Sequence, residues 1–192
     1  MKLIVTACLY TVVTAVLLGL GYPLAITGLA QLTMPRKADG QLLVSHGETV
    51  GSAIIGQSFT GPGYFHSRPS AAGTGYDATA SSGSNYGPTN KALIDRVAAS
   101  VKTETNGTPV PIDLVTASAS GLDPDITPAA AFYQAPRIAQ ECHMPKAAVD
   151  TLIDRHIQAR QFGLLGEPRV NVLALNLALS RMAPASSICR HP

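Results

Sequence analysis

Two closely spaced serines are the first residues in this chain that could do covalent chemistry. Ser118 and Ser120 lie in a stretch of small and polar residues, and Asp and His side chains occur elsewhere in the sequence. A serine nucleophile needs a histidine base held by an acidic partner, and many hydrolases place it in a G-x-S-x-G turn. The chain contains no such turn. A membrane-anchored exoplasmic serine hydrolase therefore remains only the alternative hypothesis, and we predict no catalytic residue.

Asp123 and Asp125 flank Pro124 and resemble a carboxylate pair for cation binding or acid–base work. Calcium takes about six to eight oxygen ligands, and magnesium requires near-octahedral geometry. No further acidic residue lies nearby in the sequence. We therefore predict a turn with an Asx hydrogen bond and no metal site.

The sequence contains no recognisable binding motif for a nucleotide or a nucleic acid. There is no G-x-x-x-x-G-K-[ST] loop and no G-x-G-x-x-G motif after a strand, so no ATP is expected to bind to this chain alone. The formal net charge is only +2, and the basic residues are scattered. These patterns exclude a nucleic-acid partner.

An unusual loop occupies residues 60–90, where 20 of 31 residues are Gly, Ser, Thr, Asn or Pro. Disordered segments usually lack aromatic residues, but this loop contains four. We therefore interpret it as an ordered surface that packs on its own domain or on a partner. The candidate partner-contact residues are Tyr64, Phe65, His66 and Arg68.

The three cysteines leave the redox compartment open. Cys8 lies within an apolar segment, whereas Cys142 and Cys189 could pair in an oxidising compartment. Neither belongs to a C-x-x-C or C-x-x-H pattern, and two free thiols are the favoured interpretation.

The candidate residues described above follow an N-terminal segment that is predicted to lie in a membrane. The run 3–35 contains no Asp, Glu, Lys, Arg or His, and a membrane-spanning helix needs about 20 apolar residues. A cleaved signal peptide is the rival interpretation, but its apolar region is usually about 7 to 15 residues long. We predict an anchor over residues 1–35 and a single soluble domain over 36–192, and loop charge alone leaves the orientation open.

The anchor helix carries a ridge of small residues with a spacing of four. Residues at this spacing stack on one face of a helix, and such ridges let helices approach closely in lipid. Small residues are also common in membrane helices for compositional reasons. The candidate packing face consists of Ala7, Thr11, Ala15 and Gly19.

The soluble domain shows several helices and few strands, which predicts an α+β (mixed) fold with a small sheet. Helix signals at Asn90, Thr127 and Asn171 are each an N-cap residue before an apolar pattern. The predicted strands are residues 42–44 and 110–116. The predicted helices are a short one over residues 50–55, then 90–105 with Leu93, Ile94, Val97, Ala98 and Val101 on one face, 127–142 interrupted at Pro136, 145–161, and 172–182.

Four motifs in the same order resemble the KdpC family, the C subunit of the bacterial potassium-transporting KdpFABC ATPase. They are Gly63-Tyr64-Phe65-His66-Ser67-Arg68-Pro69-Ser70-Ala71-Ala72; Ser81-Ser82-Gly83-Ser84-Asn85 with Gly87-Pro88-Thr89-Asn90; Ala117-Ser118-Ala119-Ser120-Gly121-Leu122-Asp123-Pro124-Asp125-Ile126; and Gly166-Glu167-Pro168-Arg169-Val170-Asn171-Val172-Leu173 with Leu175-Asn176-Leu177-Ala178-Leu179. The resemblance extends from the anchor to the last helix. The motif residues of interest are Ser118, Ser120, Gly121, Asp123, Asp125, Glu167, Asn171 and Asn176.

The resemblance implies a non-catalytic accessory subunit in the bacterial inner membrane. Its partners would be a potassium-conducting subunit, a P-type ATPase subunit, a small subunit and the lipid bilayer. The implied function is assembly or stabilisation of the complex, together with a chaperone role that raises the ATP affinity of the ATPase subunit. The implied topology places the N-terminus in the cytoplasm and the domain outside it. ATP would then be contacted only in a complex with the ATPase subunit, if at all, and the effect on affinity would pass through the membrane helices as coupling between sites.

Overall fold

The computed structural model describes residues 1–45, 47–183 and 189. It divides into two compact units, Met1–Leu42 and Leu43–Pro192. The sequence assigns no role to the tail, residues 184–192, which lies largely outside the described residues.

The first unit is dominated by one long apolar helix. It consists of α1 (Lys2–Val16), a π-helical turn (Leu17–Gly21) and α2 (Tyr22–Thr33), followed by the short α3 (Pro35–Ala38). The continuous run Lys2–Thr33 has 32 residues, and none of its most apolar stretch is buried within the protein. By length and composition this helix can cross a membrane, as the sequence predicts.

In its described residues the second unit combines four α-helices with two small sheets, of which the three-stranded one is antiparallel. One sheet pairs β1 (Leu42–Ser45) with β2 (Glu48–Ser52); the other has the order β3-β5-β4 and consists of β3 (Asp125–Ile126), β4 (Ile157–Gln158) and β5 (Arg169–Asn171). The helices are α4 (Lys91–Glu104), α5 (Pro128–Glu141), α6 (Lys146–His156) and α7 (Val172–Met182). The predicted α+β class is confirmed.

The core lies between α5, α6, α7 and the sheet that contains β5. Ile138, Ile153 and Leu175, one from each helix, are fully buried there. Phe65 from the long loop is also fully buried in the same cluster. The loop therefore contributes to the core that it covers.

Three predicted helix starts are confirmed. The side chains of Asn90, Thr127 and Asn171 each accept a hydrogen bond from a backbone N–H of the first turn, which satisfies a donor that the helix leaves unpaired. The predicted interruption at Pro136 is wrong, because α5 continues through this residue to Glu141. Pro136 is exposed, so the ring lies on the solvent side of the helix.

Three other local predictions are wrong. Residues 110–116 form no strand but a short 3-10 helix, Ile112–Leu114, in which Asp113 is buried and accepts a hydrogen bond from the N–H of Thr127 at 2.7 Å. The helix predicted over residues 50–55 does not form, because residues 50–52 belong to β2 and residues 53–55 form a turn. The helix predicted to reach residue 161 ends at His156, because the next two residues pair with β5.

The apolar residues of α4 share one face of the helix, but none of them is fully buried. Ile94 is 57% exposed and Val101 is 40% exposed. Helical periodicity identifies which residues share a face, but not whether another element covers that face.

The prediction of two free thiols is wrong, because Cys142 and Cys189 form a disulfide. Their Cα atoms lie 5.6 Å apart, and both residues are fully buried. The bond links Cys142, at the C-terminal end of α5, to Cys189, which lies 47 positions later in the chain. Cys8, in α1, is the free cysteine of the described residues.

Candidate interaction site

Two buried amide side chains hold the long loop against the domain. Asn176 of α7 accepts a hydrogen bond from the N–H of Phe65 at 2.8 Å and donates one to its carbonyl at 3.0 Å. Gln134 of α5 makes the same pair of bonds with the backbone of His66, at 2.7 and 3.2 Å. The two amides thus pair with the loop as the edge of a strand would, and they satisfy backbone groups that burial would otherwise leave unpaired.

Arg137 extends this support by one turn of α5. Its guanidinium donates to the carbonyl of Tyr64 at 3.0 Å, to the carbonyl of Pro62, and to Oε1 of Gln134 at 2.8 Å. Burial lowers the pKa of Arg137 from its ordinary value. Because Arg137 orients the amide that binds the loop, the loop and α5 form one hydrogen-bonded layer.

The candidate contact residues differ in their exposure. Phe65 is fully buried, so its side chain contacts its own core and presents no surface to a partner. Tyr64 is half-buried, and the centroid of its ring lies 6.0 Å from that of Phe59. Burial raises the pKa of the Tyr64 hydroxyl. Partner contact by Tyr64, His66 and Arg68 stays a prediction, whereas the alternative that the loop packs on its own domain agrees with the geometry.

His66 joins the loop to the end of α4. Its Nδ1 lies 3.2 Å from Oε1 of Glu104, and its Nε2 lies 3.1 Å from the carbonyl of Gly61. The hydrogen bond from His66 lowers the pKa of Glu104 despite partial burial. The pair lies beside a cavity of about 380 Å³ that is also lined by Tyr76.

Arg68 connects the loop to the stretch that contains the two aspartates. Its Nη1 lies 3.1 Å from Oδ2 of Asp123, and its Nη2 donates to the hydroxyl of Thr116 at 3.4 Å. The predicted Asx turn is confirmed, because the N–H of Asp125 donates to Oδ1 of Asp123 at 3.1 Å. Asp125 pairs in turn with Nε of Arg169 at 3.0 Å. Both aspartates are therefore engaged by arginines.

These ion pairs border a charged cleft of about 250 Å³. Burial raises the pKa of Asp125, against the opposing effects of Asn171 and Arg169. The arrangement alternates carboxylates and guanidiniums, which suits a polar contact more than a closed cation cage. The charged lining residues are Arg68, Asp113, Asp123, Asp125, Glu167 and Arg169.

The two serines are used as turn residues. The hydroxyl of Ser118 accepts from the N–H of Gly121 at 2.9 Å, and that of Ser120 accepts from the N–H of Leu122 at 3.1 Å. Among the described residues no histidine hydrogen-bonds either hydroxyl. The geometry thus assembles no hydrolase triad from the described residues.

Gly121 shows how closely this turn meets the long loop. Its φ is +68°, and a Cβ at this position would lie 2.5 Å from the carbonyl oxygen of Ser82 and 2.6 Å from the nitrogen of Ala72. No side chain fits between these backbones, so glycine is required here. The two motif segments are therefore packed as one unit.

Asn171 and Glu167 complete the set of motif residues. Asn171 caps α7, and its amide nitrogen also donates to Oδ1 of Asp125 at 3.1 Å and to the carbonyl of Ala53 at 2.9 Å. Glu167 is exposed and lies 2.5 Å from Nη2 of Arg160. Asn171 therefore links three segments of the domain, whereas Glu167 lies on the surface.

Three residues of this site were missed from the sequence: Gln134, Arg137 and Glu104. Gln134 lies on the same helical face as Ala130, Ala131 and Ile138, and a polar residue within an apolar stripe was the available signal. Arg137 and Glu104 gave no local signal, because their partners lie 73 and 38 residues away.

The ridge on the apolar helix is exposed over its whole length in the described chain. The hydroxyl of Thr11 donates to the carbonyl of Ala7 at 2.9 Å and so leaves the ridge without a free donor. Gly19 lies in the π-helical turn, where a Cβ would meet nothing within 4 Å. A π turn changes the rotation between Ala15 and Gly19 relative to an α-helix, and such bulges often occur at functional positions.

One apolar helix followed by a small α+β domain with an ordered Gly/Ser loop is an architecture consistent with a membrane-anchored protein. Comparison with known proteins makes this specific. A family model described as "KdpC: K+-transporting ATPase, c chain" matches residues 4–181. The chain belongs to the KdpC family.

Individual relatives agree with this membership. A protein of Acidobacterium capsulatum named potassium-transporting ATPase KdpC subunit is 66% identical over 178 residues, which cover 92% of this chain and 97% of that protein. Proteins with the same name from Koribacter versatilis and Caulobacter vibrioides are each 56% identical, covering 95% and 88% of this chain and 96% and 88% of theirs. The resemblance inferred from the four motifs is confirmed.

Proposed function

We propose that this protein is a non-catalytic accessory subunit of an ATP-driven, high-affinity potassium uptake complex. It assembles in the bacterial inner membrane with a potassium-conducting subunit, a P-type ATPase subunit and a small subunit. Family membership and the apolar helix of 32 residues support this proposal. The N-terminus is cytoplasmic and the domain is exoplasmic.

The observation that carries the proposed orientation is the disulfide between Cys142 and Cys189. Disulfides persist in oxidising compartments such as the bacterial periplasm, whereas cytosolic thiols are kept reduced. Both cysteines are buried and cross-link two segments of the core, so the bond is part of the folded domain. A domain with such a bond belongs outside the cytoplasm.

This orientation constrains how the subunit acts on ATP. An exoplasmic domain does not meet cytoplasmic ATP, and the chain contains no phosphate-binding loop. We propose that the subunit raises the ATP affinity of the ATPase subunit through its membrane helix, as a coupling between separate sites. Such couplings typically change an affinity by about 5- to 150-fold.

Two surfaces are proposed to hold the subunit in the complex. The ridge of Ala7, Thr11, Ala15 and Gly19 packs against a helix of a neighbouring subunit, because small side chains permit close approach in lipid. The exposed side of the long loop, around Tyr64 and its neighbours, provides part of the contact outside the membrane.

The orientation is tested by cysteine labelling in intact cells. Cys8→Ala removes the free thiol, and Lys102→Cys places a new one on the exposed surface of α4. A membrane-impermeant maleimide should label Lys102→Cys in intact cells, whereas a Lys2→Cys control should react only after lysis. Titration without reductant should find Cys142 and Cys189 unreactive. Labelling of Lys102→Cys only after lysis, or two reactive native thiols, would refute the proposed orientation.

A further inference from the structure

The connection between β4 and β5 is a tightly ordered turn. Gln161 and Leu165 exchange two backbone hydrogen bonds, each 2.9 Å long, and form an antiparallel bridge. Phe162 and Gly163 follow with φ values of +54° and +74°, which fold the chain back on itself. The conformation of this turn is therefore set by its backbone and does not depend on packing of its side chains.

The turn presents large apolar side chains to solvent. Phe162 is 92% exposed, Leu164 is 80% exposed and Leu165 is 60% exposed. Among the described residues after Leu42, Phe162 and Leu164 are the most exposed large hydrophobic side chains. We call Phe162, Leu164 and Leu165 the apolar tip. Single exposed apolar residues are common on proteins, but three together on a rigid turn indicate contact with an apolar environment.

Basic residues flank the apolar tip. Residues 155–169 contain Arg155, Arg160 and Arg169 but only one acidic residue, Glu167, which gives a net charge of +2. Arg160 lies 2.5 Å from Glu167 and Arg169 lies 3.0 Å from Asp125, so two of the three arginines are held in ion pairs. An apolar tip with a cationic base matches a bilayer surface, where anionic headgroups lie above the acyl chains.

We propose that the apolar tip inserts into the headgroup region of the bilayer that contains the N-terminal helix, with the flanking arginines on anionic lipid. The tip is convex, and its three side chains offer about 500 Å² at most, below the roughly 800 Å² per partner of a standard protein interface. A lipid surface needs no complementary groove. The inference depends on membrane anchoring and not on the proposed subunit role.

The length of the connecting chain makes this contact accessible. Nine residues, or ten Cα-to-Cα steps, separate Thr33, at the end of α2, from Leu43, the first residue of the second unit. A fully extended chain of ten residues spans at most about 35 Å, and a domain of this size is about 30 to 40 Å across. The connecting chain is therefore short enough for a surface of the domain to reach the headgroups.

The test uses the full chain in vesicles of phosphatidylcholine and phosphatidylglycerol. An environment-sensitive dye is attached to Leu164→Cys in a Cys8→Ser chain, while the native disulfide leaves Cys142 and Cys189 unreactive. The matched control carries the dye at Ile112→Cys, an exposed apolar position that is 70% accessible but stands alone. Quenching by nitroxide-labelled lipid is compared with quenching by iodide present on both sides of the membrane.

The tip dye should be quenched by nitroxide lipid at least about threefold more strongly than the control dye, and by iodide correspondingly less. Adding Phe162→Asn and Leu165→Ser should abolish the difference, since asparagine tolerates the positive φ of Phe162 while both changes remove apolar surface. Equal iodide quenching at the two positions would overturn the proposal. Protection from both quenchers in the assembled complex would overturn it too, because another subunit would then cover the tip.

Discussion

Replacing Asn176 by leucine tests whether the long loop depends on the two buried amides. Leucine has a similar volume but can neither accept from the N–H of Phe65 nor donate to its carbonyl. Both groups belong to a fully buried residue, so water does not replace the lost partner. Each unsatisfied buried group costs about 1–3 kcal/mol, which puts the loss in the free energy of unfolding at about 2–6 kcal/mol.

A loss of this size is a large fraction of the free energy of unfolding of a typical domain, which is about 5–15 kcal/mol. For a domain of about 150 residues, 1 kcal/mol shifts Tm by roughly 2–4 °C, so Asn176→Leu should lower Tm by about 5–20 °C. The assay is thermal unfolding of the full chain in detergent, followed by near-ultraviolet circular dichroism. Chymotrypsin should also cleave the variant faster after Tyr64 and Phe65.

The control is Gln140→Leu, which changes an exposed amide on α5 and should leave Tm within about 2 °C of the parent. Gln134→Leu should resemble Asn176→Leu, because it removes the equivalent pair of bonds to His66. If Asn176→Leu melts within about 2 °C of the parent, the loop is held by other contacts and the reasoning is wrong.

Two further predictions concern the Glu104–His66 pair and the apolar helix. The pKa of Glu104 is lowered in the folded state from its ordinary value of 4.5, so the ionised carboxylate stabilises the fold at pH values above 4.5. This stabilisation is lost as the pH falls through the pKa of the folded state. The Tm difference between the parent and Glu104→Gln should therefore be largest at pH 7 and shrink in acid; a difference independent of pH would contradict the assignment. Gly19→Leu should weaken co-purification of the complex, whereas Leu17→Ile should not, and equal recovery of both variants would leave the ridge without a role in assembly.

Local signals in the sequence predicted the helices better than the other elements. Asn90, Thr127 and Asn171 are N-caps whose hydrogen bonds close within three residues, so the pattern and the contact lie in the same short stretch. The 3-10 helix around Asp113 was mistaken for a strand because its buried carboxylate is satisfied 14 residues away, at Thr127. Strands of two or three residues give too little alternation to be recognised.

The order of the long loop could be predicted, but the residues that impose it could not. Its aromatic content indicated packing, and Phe65 does pack in the core. The amides that hold it are 111 and 68 residues from their partners, and composition contains no information on such pairings. The disulfide was missed for the same reason, since a spacing of 47 residues is compatible with two free thiols as well as with a bond.

The positions of the motif residues change how assembly experiments should be interpreted. Asn176, Gly121 and Ser118 contact the backbone of their own domain, so their replacement should weaken assembly through unfolding. Arg68 belongs partly to this group, because it pairs with Asp123 and bonds to Thr116. Loss of assembly identifies a partner contact only where Tm is unchanged.

Exposed residues meet that condition better than the motif residues do. Ile94 on α4 and Leu164 in the apolar tip are 57% and 80% exposed, so polar substitutions at these two positions should cost little stability. Ile94→Ser and Leu164→Ser remove comparable apolar surface from two different places. If one of these variants reduces assembly or lipid contact while its Tm is preserved, the substituted residue lies on a surface that binds outside the domain. Ile94 lies on a helical face that suits a protein partner, whereas Leu164 lies on a convex turn with flanking arginines that suits lipid.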